Sequence, residues 1–466
     1  MLAPQDFERR IRSTGTVALA AMVLFFGGLA YWQVFRTDLA NKAGNPRVVA
    51  AFNNPARGRI LDRDGNVLAE SLPDGTRHYT DASVAQVVGY LSARFGSHGA
   101  ELAFNDLLDG KTGGSFSRVL DTEFRRTEVH GLDVRLTIDP KIQAAAAKAL
   151  GDRKGAVVAL DPNTGQVLAM VSVPTYDPGS LDANGDALEK DPDAPLLNRA
   201  TQGLYAPGST FKTVTTISAL ENKVVTVDTP EDCPGQVVID GFPISCNNVP
   251  QGTGSYPFSH AFTFSVNAIF AHVGVQVGWD RLTATADKLG FDSALPFTID
   301  TSPTQVHAPG ADLSQTLLAS TAFGQGQILA TPLQMALIAA TVANGGVLES
   351  PHLGYEAMDG NTVVQKLESP TSTRLVDAGV AATVRDLMVS VVDNGQALGA
   401  QIPGVKVAGK TGTAENGTVA SHAWFIAFAP ADHPVIALAV IVEDGGRGGE
   451  IASPIAGAVI RAALGK

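Results

Sequence analysis

The chain has 466 residues, long enough for two or three structural units, and 45% of its side chains are hydrophobic, enough to fill a sizeable core. A net charge of -12, with no broad basic stretch, excludes the electrostatic footprint of a nucleic-acid binder. With 48 glycines and 26 prolines, the chain favours turns over long helices.

Residues 1–12 carry Arg9, Arg10 and Arg12 and read as a short cytoplasmic tail. From Ser13 to Phe35 there is no charged side chain. At ~1.5 Å per residue a helix of that length reaches roughly 34 Å, enough to cross a hydrocarbon core. Tyr31 and Trp32 close the segment as an aromatic belt does. A cleaved signal peptide is the alternative, with Gly28-Leu29-Ala30 as a loose cleavage site, but the apolar run continues past Ala30. Arg36, Lys42 and Arg47 nearly balance the arginines ahead of the span, so charge alone does not orient it. The expectation is one transmembrane anchor over 13–35 and a large extracytoplasmic body.

Residues 36–135 mix short strand-like runs with Gly-rich turns, including a hairpin from Arg57 to Ala69 that turns at Asp64-Gly65-Asn66. No chemistry is legible there by residue type, so a pedestal or docking domain is expected. The body, 136–466, begins with a helix capped by Asp139 with Pro140 in its first position, ending near Leu150. Strands are expected over 155–160, 166–172, 405–413, 423–428 and 435–442, and a helix over 332–344. The final helix is expected to start with Ser453 as cap and Pro454 in the first position. Early and late strands must pair, which gives a single α+β domain: a five-stranded antiparallel sheet flanked by helices. The only cysteines, Cys233 and Cys246, flank a hairpin-like stretch. In an exported domain they suggest a disulfide, the alternative being two free buried thiols. No histidine stands at ligand spacing beside them, so no metal site is expected.

Three motifs carry chemistry. Ser209-Thr210-Phe211-Lys212 follows a Pro207-Gly208 turn at the head of a helix whose Phe211, Val214, Ile217 and Leu220 define a core face. Residues three apart share a helix face, so Lys212 can reach the Ser209 hydroxyl, and the helix N-terminus favours the charge a serine acquires on attack. Ser265-Val266-Asn267 lies in a helix-like apolar run from Phe262 to Phe270. Lys410-Thr411-Gly412-Thr413 continues a strand whose edge can accept an extended peptide. Two decoys exist. Lys111-Thr112-Gly113 sits in a Gly-rich loop before the nucleophile helix, and Ser245-Cys246-Asn247 sits beside the presumed disulfide.

In this order, Ser209/Lys212, Ser265/Asn267 and Lys410-Thr411-Gly412-Thr413 resemble the penicillin-binding protein transpeptidases. The words around them agree: Tyr205-Ala206-Pro207-Gly208, Gly324-Gln325-Gly326, Thr331-Pro332-Leu333-Gln334 and Ala414-Glu415. The Arg57–Ala69 segment, the Gly96–Gly110 stretch and Leu136-Thr137-Ile138-Asp139 resemble the class B, monofunctional branch, and the short pre-catalytic region is most similar to its actinobacterial PbpA type. The middle motif is Ser-Val-Asn rather than the Ser-Asp-Asn of class A β-lactamases, and Gly395-Gln396-Ala397 stands where many relatives carry Gly-Thr-Ala.

The resemblance implies a D,D-transpeptidase that cross-links peptidoglycan stem peptides through a Ser209 acyl-enzyme, releases terminal D-alanine and is acylated by β-lactams. Lys212 is the implied general base, Ser265 the proton relay and Asn267 the holder of the substrate amide. Lys410, Thr411, Gly412 and Thr413 form the substrate-binding strand, with the backbone N–H groups of Ser209 and Thr413 as oxyanion hole. To work near pH 7, Lys212 needs a pKa about three units below the ordinary lysine value, roughly 4 kcal/mol. No cofactor or metal is implied. The implied partner is a polytopic SEDS-family glycosyltransferase in the same membrane. The alternatives are a serine β-lactamase or D,D-carboxypeptidase, and a non-catalytic β-lactam-binding scaffold. A class A β-lactamase would need an activating glutamate between the second and third motifs, where Glu349, Glu356 and Glu368 all lack the expected context.

Overall fold

A computed structural model describes residues 16, 19–25, 27–28, 56–110, 130–246, 252–368, 371–415, 417 and 420–466. The anchor expected over 13–35 lies largely outside these; its described residues are helical. Among the described residues no helix is long and apolar enough to cross a membrane.

The body is built on a five-stranded antiparallel sheet in the order Ala408–Ala414, His422–Ala429, Ile436–Val442, Gly155–Leu160, Val167–Val173. Successive side chains of a strand point to opposite faces. Because every residue of Ile436–Val442 and of Gly155–Leu160 is buried, both faces of the sheet centre are covered. The helices Pro140–Leu150 and Gly448–Ala463 pack together against the sheet, and Pro332–Ala343 packs on Ile436–Val442 and its neighbours. Asp139 caps the first of these helices by accepting from the N–H groups of Lys141 and Ile142. Thr331 caps Pro332–Ala343 through the N–H of Gln334.

The last helix departs from expectation. It begins at Gly448, and Pro454 lies inside it rather than at its start. Proline there removes one helical hydrogen bond. The helix tolerates it because it packs on the turn Leu398–Ala400, so closely that a Cβ on Gly399 would lie 2.8 Å from Pro454 Cγ. Tertiary contact overrides the local signal.

A second, six-stranded sheet runs Thr362–Lys366, Gly354–Asp359, Asp133–Leu136, Ile60–Leu61, Val67–Ser71, Arg77–Tyr79. Ile60–Leu61 pairs antiparallel with Val67–Ser71, the expected hairpin, but parallel with Asp133–Leu136. The hairpin Gly354–Lys366, from the middle of the body, completes this pedestal sheet, and the boundary drawn at 135/136 falls within the strand Asp133–Leu136. Behind it Arg57 is fully buried against Glu101 (2.7 Å) and Asp109, and Arg77 joins Glu101 at 2.7 Å. Removing any one member would strand a buried charge. Cys233 and Cys246 are joined as a disulfide at the base of the hairpin Gln236–Ile239/Phe242–Ser245.

Candidate active site

The turn ahead of the serine is set by glycine. Gly208 has φ +52°, a left-handed conformation that glycine adopts freely, and its N–H donates to Gly324 O at 2.9 Å. It opens the 3-10 turn Gly208–Phe211, which runs into the helix Lys212–Glu221. A Cβ on Gly412, in the edge strand Ala408–Ala414, would lie 2.9 Å from Pro207 O and 3.0 Å from Thr210 Cγ2. The edge strand therefore rests directly on the serine turn. Phe211, Val214 and Ile217 face the core, as their spacing predicts, leaving Ser209 partly exposed and Lys212 wholly buried.

Ser265 does not lie within a continuous helix. Two helices, Phe258–Thr263 and Asn267–Val277, are separated by a turn in which Ser265 has φ +61°. A side-chain-bearing residue is held in that region only by its surroundings. The turn places Ser265 Oγ between two lysines. Lys212 Nζ donates to Ser265 Oγ (3.1 Å), Ser265 O (2.8 Å) and Asn267 Oδ1 (2.7 Å). Lys410 Nζ donates to the same Oγ at 3.0 Å and to Thr411 O at 3.1 Å. Lys212 thus directs its donors to Ser265 and Asn267 rather than to Ser209. Aromatic faces complete the cage, with Phe270 5.1 Å from Lys212 Nζ and Phe262 5.7 Å from Lys410 Nζ, centroid to nitrogen.

Burial pushes the Lys212 amine well below its ordinary pKa, and the charge of Lys410 lowers it further. Burial alone brings Lys410 down to about 7. The structure therefore brings together Ser209, Lys212, Ser265, Asn267 and the strand Lys410–Thr413. Ser209, Asn267 and Thr413 reach solvent, while Lys212, Ser265, Lys410 and Thr411 lie beneath. An accessible hydroxyl one helical turn from an amine whose pKa burial pushes well below the ordinary value, beside a sheet edge, suits covalent acyl transfer to or from an extended peptide. Of the decoys, Ser245 is exposed on the disulfide hairpin, and Asn247 and Lys111-Thr112-Gly113 lie outside the described residues.

Sequence reasoning missed the supports of this site. The Tyr205 hydroxyl donates to Glu443 Oε1 at 2.7 Å, the oxygen that also accepts from Arg199 Nε at 2.8 Å. Burial and then the Glu443 charge raise the Tyr205 pKa. Trp424 Nε1 donates to Ala206 O at 3.0 Å. Together they hold the segment leading to Ser209. Tyr205 was part of a recognisable word, but nothing local marks Arg199 or Glu443. Phe262 and Phe270 had a signal, since they stand three residues before Ser265 and three after Asn267.

The penicillin binding protein transpeptidase domain matches residues 155–461, and the penicillin binding protein A dimerisation domain matches residues 57–134. The chain is 37% identical to the peptidoglycan D,D-transpeptidase PbpA of Mycolicibacterium smegmatis, over 97% of this chain and 98% of that protein. It is 36% identical to the PbpA of Mycobacterium tuberculosis, with the same coverage of 97% and 98%. Among solved structures it resembles the ceftriaxone acyl-enzyme of M. tuberculosis penicillin-binding protein A, with a TM-score of 0.81 and 35% identity over 90% of this chain and all (100%) of that one. The penicillin G acyl-enzyme of the same protein gives 0.79 and 36%, over 88% and 99% of the two chains.

Proposed function

This chain belongs to the class B penicillin-binding proteins, and from that premise we propose how its residues divide the work. It is a serine D,D-transpeptidase of peptidoglycan synthesis and a β-lactam target. The observation that carries the residue assignment is the shared Ser265 hydroxyl, 3.1 Å from Lys212 Nζ and 3.0 Å from Lys410 Nζ, beneath an accessible Ser209.

Ser209 Oγ attacks the carbonyl between two terminal D-alanines, and neutral Lys212 takes its proton. The proton passes through Ser265 to the departing amine as the C–N bond breaks, which leaves an acyl-Ser209 ester and free D-alanine. Asn267 holds the donor amide. Thr411 and Thr413 bind the terminal carboxylate with Lys410 supplying positive charge, and the N–H groups of Ser209 and Thr413 stabilise the oxyanion. The amine of a second stem peptide then takes the acyl group. The charge-free segment 13–35 supports placement in the membrane, the Cys233–Cys246 disulfide supports a body outside it, and a SEDS-family glycosyltransferase is the partner that this placement invites.

The β-lactamase alternative is disfavoured by where the three candidate glutamates go. Glu349 accepts from Ser372 on the surface, Glu356 pairs with Arg135 at 2.7 Å in the pedestal sheet, and Glu368 accepts from Gln166 at 2.7 Å. The test is intact mass of the full chain with and without benzylpenicillin, beside Ser209→Ala. A single long-lived adduct, absent in the variant, is expected. Turnover of penicillin without an adduct would establish the β-lactamase instead, and intact drug with unmodified protein would establish the scaffold.

A further inference from the structure

Gln396 stands outside the three motifs, on the turn that follows the helix Ala378–Asp393. Its side-chain Nε2 donates to the carbonyl of Phe264, the residue immediately before Ser265, at 3.2 Å. Two more contacts, one through a side chain and one through the backbone, reach Thr263 from the end of that helix and the turn after it. Thr263 Oγ1 donates to Ser390 Oγ, 3.0 Å away, and Gly395 packs so closely that a Cβ on it would lie 2.6 Å from Thr263 O. Residues 390–396 thus grip the chain just ahead of Ser265.

Ser265 needs a grip. A left-handed backbone is unfavourable for an L residue, and it is with φ at +61° that its Oγ meets both Lys212 and Lys410 here. Relaxation toward the right-handed region would carry that oxygen away from one or both amines. Helical bonds hold the far side of the turn, through Val266 N–H to Ala261 O (2.9 Å) and Ser265 N–H to Phe262 O (3.2 Å). The second of these ties the N–H of the Phe264–Ser265 peptide, and Gln396 holds the oxygen of the same peptide from the other side.

We propose that Gln396 is a positioning residue for acyl transfer: its amide fixes the Phe264 carbonyl and so keeps Ser265 in the turn that links the two lysines. The inference rests on the acyl-transfer reading above. Gln396 is exposed, so changing it opens no core cavity and its effect falls on rate rather than folding. Gln396→Glu keeps the length but replaces the donor by a carboxylate, which repels the Phe264 oxygen. Gln396→Ala removes the donor without adding charge.

The experiment times benzylpenicillin acylation of the full chain, separating the acylation rate constant from the dissociation constant of the non-covalent complex. Small misplacements at a reacting centre are expensive, so both variants are expected to lose about tenfold in the rate constant, with the dissociation constant and melting temperature nearly unchanged. In a Ser265→Ala background the same substitutions are expected to change the rate by less than about twofold, because the residue through which Gln396 acts is gone. An equal loss in both backgrounds, a loss confined to the dissociation constant, a loss with Glu alone, or no loss at all would each overturn the proposal. The rate-versus-binding split in the otherwise unaltered chain decides the matter even where Ser265→Ala is too slow to time. Failure of the unaltered chain to acylate would instead defeat the functional reading beneath it.

Discussion

Replacing Lys410 by Met is expected to stabilise the body at acidic and neutral pH while removing efficient acylation. Lys410 is wholly buried, and burial brings its pKa from 10.5 to about 7. That difference is equivalent to about 5 kcal/mol against the charged form. The unfolded chain keeps the ordinary value, so between about pH 7 and 10.5 the unfolded state binds more protons and stability rises with pH; below about 7 the full penalty is present. Methionine removes the penalty but takes one donor each from Thr411 O and Ser265 Oγ, an offset of about 1–3 kcal/mol. The net gain expected at pH 6 is about 2–4 kcal/mol, or roughly 3–6 °C in Tm for a unit of this size. By about pH 10 it should have become a small loss. Melting curves of the two full chains from pH 6 to 10, with penicillin acylation measured in parallel, test this. A difference in Tm that is constant across pH, or a loss at pH 6, would refute the assignment of a desolvated ammonium to this site.

The same variant should alter Lys212. The charge of Lys410 is the second cause of its lowered pKa, so in Lys410→Met the acid limb of the residual acylation rate moves to higher pH, read from a pH–rate profile. Gly412→Ala places a Cβ 2.9 Å from both Pro207 O and Trp424 Cβ, which forces the edge strand off the serine turn. About 100-fold slower acylation is expected, with a Tm change of only a few degrees; a rate equal to that of the unaltered chain would show that the strand can yield. Changing both Cys233 and Cys246 to Ser opens a loop with a sequence separation of 13. Chain entropy predicts a loss of about 3 kcal/mol, read as earlier proteolysis of the hairpin Gln236–Ile239/Phe242–Ser245, with acylation retained.

What was legible in the sequence is what chemistry or burial demands locally. Ser209 and Lys212 had to share a helix face, and the apolar runs at 155–160 and 435–442 read as strands, which the structure buries at the sheet centre. Pro454 misled because a proline after a serine reads as a helix start. Its ring is accommodated by the Leu398–Ala400 turn, which no local pattern reveals. The pedestal sheet was illegible for the same reason, since its strands at Gly354–Lys366 come from more than two hundred residues beyond Asp133–Leu136. Ser265 is the sharpest case. The apolar spacing from Phe262 to Phe270 reads as one helix, and nothing in Phe-Ser-Val asks for φ +61°. The break is made by groups that converge from elsewhere: amines from Lys212 and Lys410, a hydroxyl from Ser390 and an amide from Gln396. Local sequence therefore names the reacting groups, while the angle at which the relay serine meets them is set by the packing of segments distant in the chain. Substitutions at Gln396 should accordingly disturb catalysis although no motif contains it.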